Sequence, residues 1–202
     1  LPRTPEIPGI DHPSVLSYLA VLRDKKPVGK RVAIIGAGGI GFDIAEYLTQ
    51  HGEPTSQNIT AFCQEWGIDR TLQQPGGLTT PQPPQSERQI WLLQRRPGKP
   101  GASLGKTTGW IHRASLQMRQ VKMWGDVQYL KIDDDGLHIL HQGEPVLLAV
   151  DNVVICAGQQ SDRRLAEALG DRPVHIIGGA DRALELDARR AIAQGTRLAL
   201  TI

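Results

Sequence analysis

Short apolar runs along the chain alternate with stretches of helical periodicity. Four runs are largely apolar and have the length of strands buried on both faces, namely RVAIIG (31–36), QIWLLQRR (89–96), DNVVICAG (151–158) and VHIIGG (174–179). Apolar residues recur at helical spacing in 13–24, in 39–50, around 107–119 and in 188–202. Strands that alternate with helices predict an α/β fold with a parallel sheet.

Two further stretches depart from this alternation. Three short runs of alternating polarity, near 126–132, 137–141 and 145–150, are separated by turn residues, which is typical of a β-meander. Residues 51–88 are rich in Gly, Pro, Gln, Ser and Thr, and a loop of this length is uncommon inside a compact domain. We therefore expect residues 51–88 to form an insertion outside the regular elements.

Charge and cysteine content exclude several classes of protein. The 202 residues carry 23 Lys and Arg against 21 Asp and Glu, and a net charge of +2 gives no field that attracts nucleic acid or an anionic membrane. Cys63 and Cys156 fit neither a CxxC pair nor a zinc spacing, so we expect no disulfide scaffold or cysteine-bound cluster. No apolar run approaches the roughly 20 residues of a membrane span, and no signal peptide is evident, so we expect a cytoplasmic location. Since the first residue is Leu rather than Met, we expect a processed chain or a piece of a longer one.

A glycine-rich turn follows the first apolar strand and opens a helix. Its sequence, Gly36-Ala37-Gly38-Gly39-Ile40-Gly41, fits the GxGxxG pattern of dinucleotide-binding βαβ units. In that pattern Gly36 permits the tight turn, Gly38 lets the backbone approach a pyrophosphate, and Gly41 lets the helix pack close to the strand. The phosphates would rest on the free N–H groups at the positive end of the helix. The alternative is a tight βα turn that binds nothing.

The second strand ends in Arg95-Arg96, without a carboxylate. At this point of a βαβ unit an acidic residue binds the ribose 2′-OH of NAD, whereas arginine accommodates the 2′-phosphate of NADP. A guanidinium forms charge-assisted, bidentate bonds to phosphate, so the sequence predicts NADPH as the cofactor. The alternative is an ordinary basic strand end exposed to solvent.

The segment that follows holds two more candidate contacts. Lys106 could attract the dinucleotide, and Trp110 could cover the adenine or ribose, although packing or surface cover is the more frequent role of a single Trp. Residues 101–107 resemble a Walker A loop, but they have three residues rather than four before Gly-Lys-Thr, so we reject a P-loop. The six histidines are scattered, and no catalytic group of residues is apparent.

Four segments together carry a resemblance to a known family. VAIIGAGGIGFDIA, LLQRRPGKPGASLGKTTGWIHR, DNVVICAGQ and IIGGADRALELDARRAIAQGTRLAL resemble the C-terminal part of the bacterial-type NADPH-dependent 2,4-dienoyl-CoA reductases, flavoproteins related to old yellow enzyme. The resemblance covers nearly the whole chain. It implies that the full protein has an N-terminal TIM barrel with FMN, a [4Fe-4S] iron–sulfur cluster, and a split FAD domain into which an NADPH domain is inserted. Electrons would pass from NADPH through FAD, the cluster and FMN to a dienoyl thioester of fatty acid metabolism.

The resemblance also implies a domain plan. Residues 1–29 would be a connector from the first half of the FAD domain, 30–155 a three-layer Rossmann-like NADPH domain with a meander, and 156–202 the C-terminal portion of the FAD domain. In such flavoproteins an Asp after the last strand bonds the flavin ribityl chain, which matches Asp181 after Gly178 and Gly179. A helix that opens at Asp187-Ala188 would approach the flavin O2. The alternative role of Asp181 is to cap the helix or a turn.

The chain also departs from the family. Relatives often have Pro-Asn after the AGQ turn, where this chain has Ser161-Asp162. The FAD domain's own glycine motif, the cluster cysteines and the barrel are missing, so the partner we expect is the N-terminal part of the same polypeptide. Without it we expect no reduction of an enoyl thioester. A stand-alone dinucleotide-sensing module and a structural remnant without nucleotide affinity remain the alternatives.

Overall fold

The computed structural model describes residues 1–184 and 188–202, which divide into two compact units. The larger unit is Glu6–Cys156, and the smaller unit combines Leu1–Pro5 with Ala157–Ile202. Residues 6–29, predicted as part of a connector, instead fold with the larger unit. Within the described ranges, no helix is long and apolar enough to cross a membrane.

The strands of the larger unit form two sheets. They are β1 (Val15–Ser17), β2 (Arg31–Ile35), β3 (Gln89–Leu93), β4 (Lys122–Trp124), β5 (Val127–Asp133), β6 (Gly136–His141), β7 (Glu144–Leu148) and β8 (Asn152–Ile155). One sheet is parallel, with the order β1-β8-β2-β3-β4, and the other is the antiparallel meander β5-β6-β7. The parallel sheet has the strand order of a Rossmann fold, with β2 as its first strand.

The helices accompany the parallel strands. They are α1 (Tyr18–Leu22), α2 (Gly39–Thr49), α3 (Ile59–Trp66) and α4 (Gly109–Met118) in the larger unit, and α5 (Arg164–Ala168) and α6 (Ala188–Ala199) in the smaller unit. Short 3-10 turns occur at Thr55–Gln57 and Pro75–Gly77.

Burial on both faces of the parallel sheet explains its unbroken apolar strands. In β2, Val32 and Ile34 join Phe42 and Leu116 of the helices in one core cluster. Alternate side chains of a strand point to opposite faces, so Ala33 and Ile35 face the other side, where β6 packs against β8. The layers are therefore helices, parallel sheet and meander, which confirms the predicted three-layer α/β fold.

The predicted helix over 13–24 is shorter than expected. Val15–Ser17 form the edge strand β1, which pairs in parallel with Val153–Ile155 of β8. The helix begins only at Tyr18, where the Ser17 hydroxyl accepts a hydrogen bond from the Ala20 N–H. Pairing with β8, which lies far away in the sequence, therefore overrides the helical spacing of these apolar residues.

The prediction that 51–88 is an irregular insertion is wrong in part, because this segment contains α3. The Asn58 side chain accepts hydrogen bonds from the N–H groups of Thr60 and Ala61, and Gly67 closes the helix in the left-handed conformation. Both are common helix-end signals, although here they lie in a polar, Gln-rich sequence. Ile68 and Leu78 then form an isolated antiparallel bridge.

A buried ion pair fastens this segment to the rest of the unit. Glu65 of α3 is 3% exposed and lies 2.8 Å from Arg119, the residue that ends α4. The second oxygen of Glu65 accepts a hydrogen bond from the Thr55 hydroxyl. Each carboxylate oxygen is thus satisfied, as a buried charge requires.

The smaller unit lacks the predicted strand at 174–179. Val174, Ile176 and Ile177 are 39%, 36% and 39% exposed, and none of the described strands lies beside them. A strand needs a neighbour to take its backbone hydrogen bonds, which explains the difference. The apolar face predicted for 188–202 is likewise open, with Ile192 66% exposed.

Replacing Glu65 by alanine tests the anchoring of residues 51–88. The Arg119 charge would stay buried without a partner, so the free energy of unfolding should fall by about 3 kcal/mol in urea denaturation followed by circular dichroism. Asp24→Ala, which breaks an exposed ion pair with Arg23, is the matched control and should hardly change it. Equal small effects of the two substitutions would show that the pair does not anchor the segment.

Candidate functional site

The glycine-rich turn lies at the carboxyl end of the central strand. The Gly36 N–H donates to the Leu93 carbonyl of β3 at 2.8 Å, and the Cys156 N–H donates to the Ile35 carbonyl at 2.8 Å. The turn therefore has β3 on one side and β8 on the other, where the strand order reverses. Ligands of open α/β sheets bind at this switch point.

Each glycine of the turn meets a different steric condition. Gly36 has a φ of +112°, a conformation that L side chains rarely adopt. A Cβ at Gly41 would lie 1.8 Å from the Gly36 carbonyl oxygen, so α2 can pack this closely only with glycine there. A Cβ at Gly38 or Gly39 would meet no described atom within 4 Å. Space next to the backbone is thus kept open where a pyrophosphate would approach.

The first turn of α2 offers its N–H groups to this space. Gly38 is the N-cap, and no side chain among the described residues caps the helix there. Ile40 is half-buried against the core, which leaves the glycine backbone as the exposed surface of the turn. Free N–H groups together with the positive end of the helix form an anion-binding arrangement.

The two arginines follow β3 on a turn that is held from several sides. The Gln94 side chain donates to the carbonyls of Arg96, at 3.0 Å, and Gly98, at 3.3 Å. The Asp126 N–H donates to the same Arg96 carbonyl at 3.0 Å. Gly125 packs so closely that a Cβ there would lie 2.2 Å from the Gly98 carbonyl oxygen. The backbone of the arginine turn is therefore fixed by the β4–β5 connection.

The side chains of the two arginines are placed differently. Arg95 lines a cavity of about 380 Å³ with Tyr129 of β5 and residues of the meander. Both arginines are exposed, and Arg96 does not line this cavity. The turn brings both arginines to the carboxyl edge of the sheet, and only one of them faces a concave surface.

Lys106 and Trp110 lie at the start of α4. Lys106 is exposed in the preceding turn, and Trp110 is 58% exposed with its Nε1–H donating to the Thr107 carbonyl at 3.0 Å. Core packing, one alternative for Trp110, is therefore excluded. His112 lies 2.8 Å from Glu46, which sets α4 beside α2.

The flavin-side candidates belong to the smaller unit. The Gln194 amide donates to Asp181 at 2.8 Å and its oxygen accepts from the Gly178 N–H at 2.9 Å, so α6 holds the turn at Gly178 and Gly179. Asp181 lines a cavity of about 460 Å³ together with Arg182, Arg189, Arg190, Gln194 and Arg197. Ala188 is the first described residue of α6, and Asp187 lies outside the described residues. The flavin roles of these residues stay predictions.

The family model described as pyridine nucleotide-disulphide oxidoreductase matches residues 1–184. The chain belongs to this family. A glycine turn at the switch point is the arrangement that binds dinucleotides in Rossmann folds, which is consistent with the pyridine nucleotide in the family's name. The chain's two cysteines are both free, and burial together with the Asp43 carboxylate raises the pKa of the Cys156 thiol to about 12. Neither thiol forms a disulfide in this pyridine nucleotide-disulphide oxidoreductase chain.

The chain spans about a quarter of the length of three proteins that it matches. A metal reductase of Desulforamulus reducens is 26% identical over 182 residues, which are 89% of this chain and 26% of that protein. The structure of a 2-naphthoyl-CoA reductase in complex with 2-naphthoyl-CoA matches with a TM-score of 0.71 and 23% identity over 100% of this chain and 26% of that one. An amine oxidase for 6-hydroxypseudooxynicotine from Pseudomonas geniculata matches with a TM-score of 0.67 and 18% identity over 98% and 26%. At these identities the two structures show the fold alone.

The sequence did not point to two residues that shape the site of this family member. Gly125 fixes the arginine turn, and Tyr129 lines the cavity beside Arg95. Both depend on contacts between segments about 30 positions apart. A single glycine or tyrosine in a β-meander carries no local signal for them.

Two glycine substitutions separate the structural part of the turn from its open part. Gly41→Ala drives a methyl group into the Gly36 carbonyl, so the free energy of unfolding should fall by about 2 kcal/mol or more. Gly38→Ala adds the same methyl group in open space at an ordinary φ, and should cost less than about 1 kcal/mol. Urea denaturation of both variants measures the difference, and equal losses would contradict the assignment.

Proposed function

We propose that the chain is the NADPH-binding part of a flavoprotein oxidoreductase. The observation that carries this proposal is the open space at Gly38 and Gly39, in front of an N-terminus of α2 that no described side chain caps. A pyrophosphate can approach the backbone there and accept hydrogen bonds from its N–H groups. Membership of the pyridine nucleotide-disulphide oxidoreductase family supports the same ligand.

The arginine turn supports NADPH over NADH. It lies at the end of β3, the second strand of the Rossmann order, where the adenosine ribose of a bound dinucleotide is expected. Arg95 and Arg96 are presented there on a backbone held by Gln94 and Asp126. Because NADH lacks the 2′-phosphate, this turn would contribute little to NADH affinity.

We infer that the chain's role in the reaction is to bind and orient NADPH. When bound, the two cofactors would supply the hydride-transfer chemistry, so the chain would need no acid or base of its own for the transfer. Asp181 and the turn at Gly178 and Gly179 would contribute to the FAD site. The Asp181 carboxylate is about half exposed. Among the described side chains, only the Gln194 amide donates a hydrogen bond to it, so the carboxylate can accept others.

The full protein, in this proposal, is an NADPH-dependent 2,4-dienoyl-CoA reductase of the cytoplasm. The resemblance of GKTTGWIHR and ELDARRAIAQGTRLAL to that family supports it, as does the fold shared with a 2-naphthoyl-CoA reductase, whose ligand is also a CoA thioester. FMN and the [4Fe-4S] cluster would belong to the N-terminal part of the polypeptide. The exposed Val174, Ile176 and Ile192 are the kind of surface that packs on such a part.

Calorimetric titration with NADPH and NADH tests the cofactor. The unmodified chain should bind NADPH more tightly than NADH. In Arg95→Ala/Arg96→Ala, NADPH affinity should fall by about 30-fold or more, since charge-assisted bonds to a phosphate are lost, while NADH affinity should stay within about twofold.

The control for that variant is Arg31→Ala, because Arg31 lies at the amino end of β2, paired with Asp151 at 2.7 Å. It removes the same kind of charge from the opposite edge of the sheet and should leave both affinities unchanged. Equal losses for NADPH and NADH in the double variant would contradict recognition of the 2′-phosphate. Absence of binding by either nucleotide would favour a structural remnant.

A further inference from the structure

Residues 54–86, which we call the inserted segment, are held in place by two arginines that lie outside the segment. Arg119 pairs with the buried Glu65 at 2.8 Å. Arg88, just after the segment, donates from its guanidinium to the carbonyl of Leu48 at the end of α2, at 3.2 Å. The inserted segment is therefore fixed to the larger unit at its centre and at its end.

The part of the segment that follows α3 is ordered by its own backbone. The Thr79 N–H donates to the Gly67 carbonyl at 2.7 Å, and the Asp69 N–H donates to the Gly77 carbonyl at 2.8 Å. Gly67 packs so closely that a Cβ there would lie 2.3 Å from the Thr79 carbonyl oxygen. Backbone hydrogen bonds and close packing thus give this part a defined shape.

The apolar side chains of the inserted segment are turned outward. Five large ones are exposed, and we call them the insertion surface: Ile59, Phe62, Ile68, Leu72 and Leu78. Leu72 is 77% exposed and Leu78 is 64% exposed. Leu72 also has a φ of +57°, a conformation that a bulky residue seldom adopts. Apolar groups gathered on a rigid surface mark a place where another protein surface packs.

The inserted segment is also poor in charge. Charged residues make up 22% of the whole chain, but residues 54–86 contain only Glu65, Asp69 and Arg70. Glu65 is buried, and Asp69 accepts hydrogen bonds from two N–H groups of its own turn, at 2.9 and 2.8 Å. Within 54–86, all of which the structure describes, Arg70 is thus the one charged residue that is exposed. Depletion of charge distinguishes the centre of protein interfaces from the rest of a protein surface.

A cavity of about 400 Å³ lies beside the insertion surface. Ile68 is part of its wall, together with uncharged polar side chains such as Thr60, Gln64 and Gln82. Asp69 and Arg70 line it as well. The cavity can receive a side chain of a partner and offers it hydrogen-bond donors and acceptors, as pockets at the centre of interfaces do.

We propose that the insertion surface docks on an apolar, uncharged face of the N-terminal part of the same polypeptide. This inference rests on the proposed function, in which that part carries the remaining cofactors. It assigns a second contact to the part, because the insertion surface belongs to the larger unit, whereas Val174, Ile176 and Ile192 belong to the smaller one.

Effective concentration favours this occupant over a second copy of the chain. The chain spans about a quarter of the length of three proteins that it matches, so in a protein of that length most of the surface comes from the rest of the polypeptide. A surface that is covalently linked to its partner meets it at an effective concentration of about millimolar, which a free second copy does not reach.

Hydrogen–deuterium exchange of the full-length polypeptide and of this chain alone tests the contact. We expect the amides of residues 68–78 to exchange at least about tenfold more slowly in the full-length protein, because docking removes them from water. The turn at Gln142 and Gly143 of the meander is the internal reference, and its exchange should be the same in both proteins.

Leu72→Glu/Leu78→Glu tests the side chains. Both leucines are exposed in this chain, so its thermal denaturation should be unchanged by the substitutions. In the full-length protein the two carboxylates would have to be buried without partners, so the slow exchange of 68–78 should be lost. Leu147→Glu on β7, where the leucine is 47% exposed, is the matched control and should leave the slow exchange in place.

The outcomes separate this inference from the proposed function. Equal exchange of 68–78 in the two proteins, with NADPH still preferred over NADH, would overturn the inference alone. Slow exchange in this chain by itself that depends on its concentration would assign the surface to a second copy and would also overturn the inference. Protection in the full-length protein without binding of either nucleotide would overturn the proposed function and leave the docking contact standing.

Discussion

The close approach of Gly41 to the Gly36 carbonyl determines where the rest of the larger unit can lie. It seats α2 directly on the end of β2, which places Phe42 in the core at 1% exposure. The ring of Phe42 in turn requires a glycine at position 101, where a Cβ would lie 2.5 Å from it. The Gly101 carbonyl accepts a hydrogen bond from Arg113 of α4 at 3.2 Å. The close packing at Gly41 is thus linked, through Phe42 and Gly101, to the position of α4.

This chain of contacts also explains why residues 101–107 resemble a phosphate loop without being one. Gly101 has a positive φ and is buried beneath Phe42, so its lack of a side chain serves packing rather than the approach of a ligand. Gly38 and Gly39 are the reverse, since they are exposed and face open space. The same residue type thus has opposite roles in two glycine-rich stretches, and only the surroundings in the fold distinguish them.

The sequence predicted the parts of the fold that local patterns determine. The glycine turn, the unbroken apolar strands β2, β3 and β8, and the meander all follow from periodicity or spacing within a few residues. The helix α3 was missed because its end signals lie in a polar sequence and its partner Arg119 is 54 positions from Glu65. The strand β1 was missed because its pairing strand is more than 130 positions away. The prediction of a strand at 174–179 was wrong because a strand also needs a partner. The apolar pattern is local, but no described strand lies beside it.

The candidate site also has one part that local sequence determines and another that depends on long-range contacts. In the proposed function, the N-terminal end of α2 would offer the same contacts to the pyrophosphate of NADH or NADPH, so it would contribute affinity without choosing between them. The proposed choice of cofactor needs the arginine turn, whose backbone depends on the close packing of Gly125. Trp124 of β4, which directly precedes Gly125, stacks on His141 of β6 with ring centroids 4.6 Å apart, and this contact joins the parallel sheet to the meander. In the proposed function, the contacts to the pyrophosphate and the choice of cofactor therefore rest on different parts of the fold, so a substitution in the arginine turn would change one without the other.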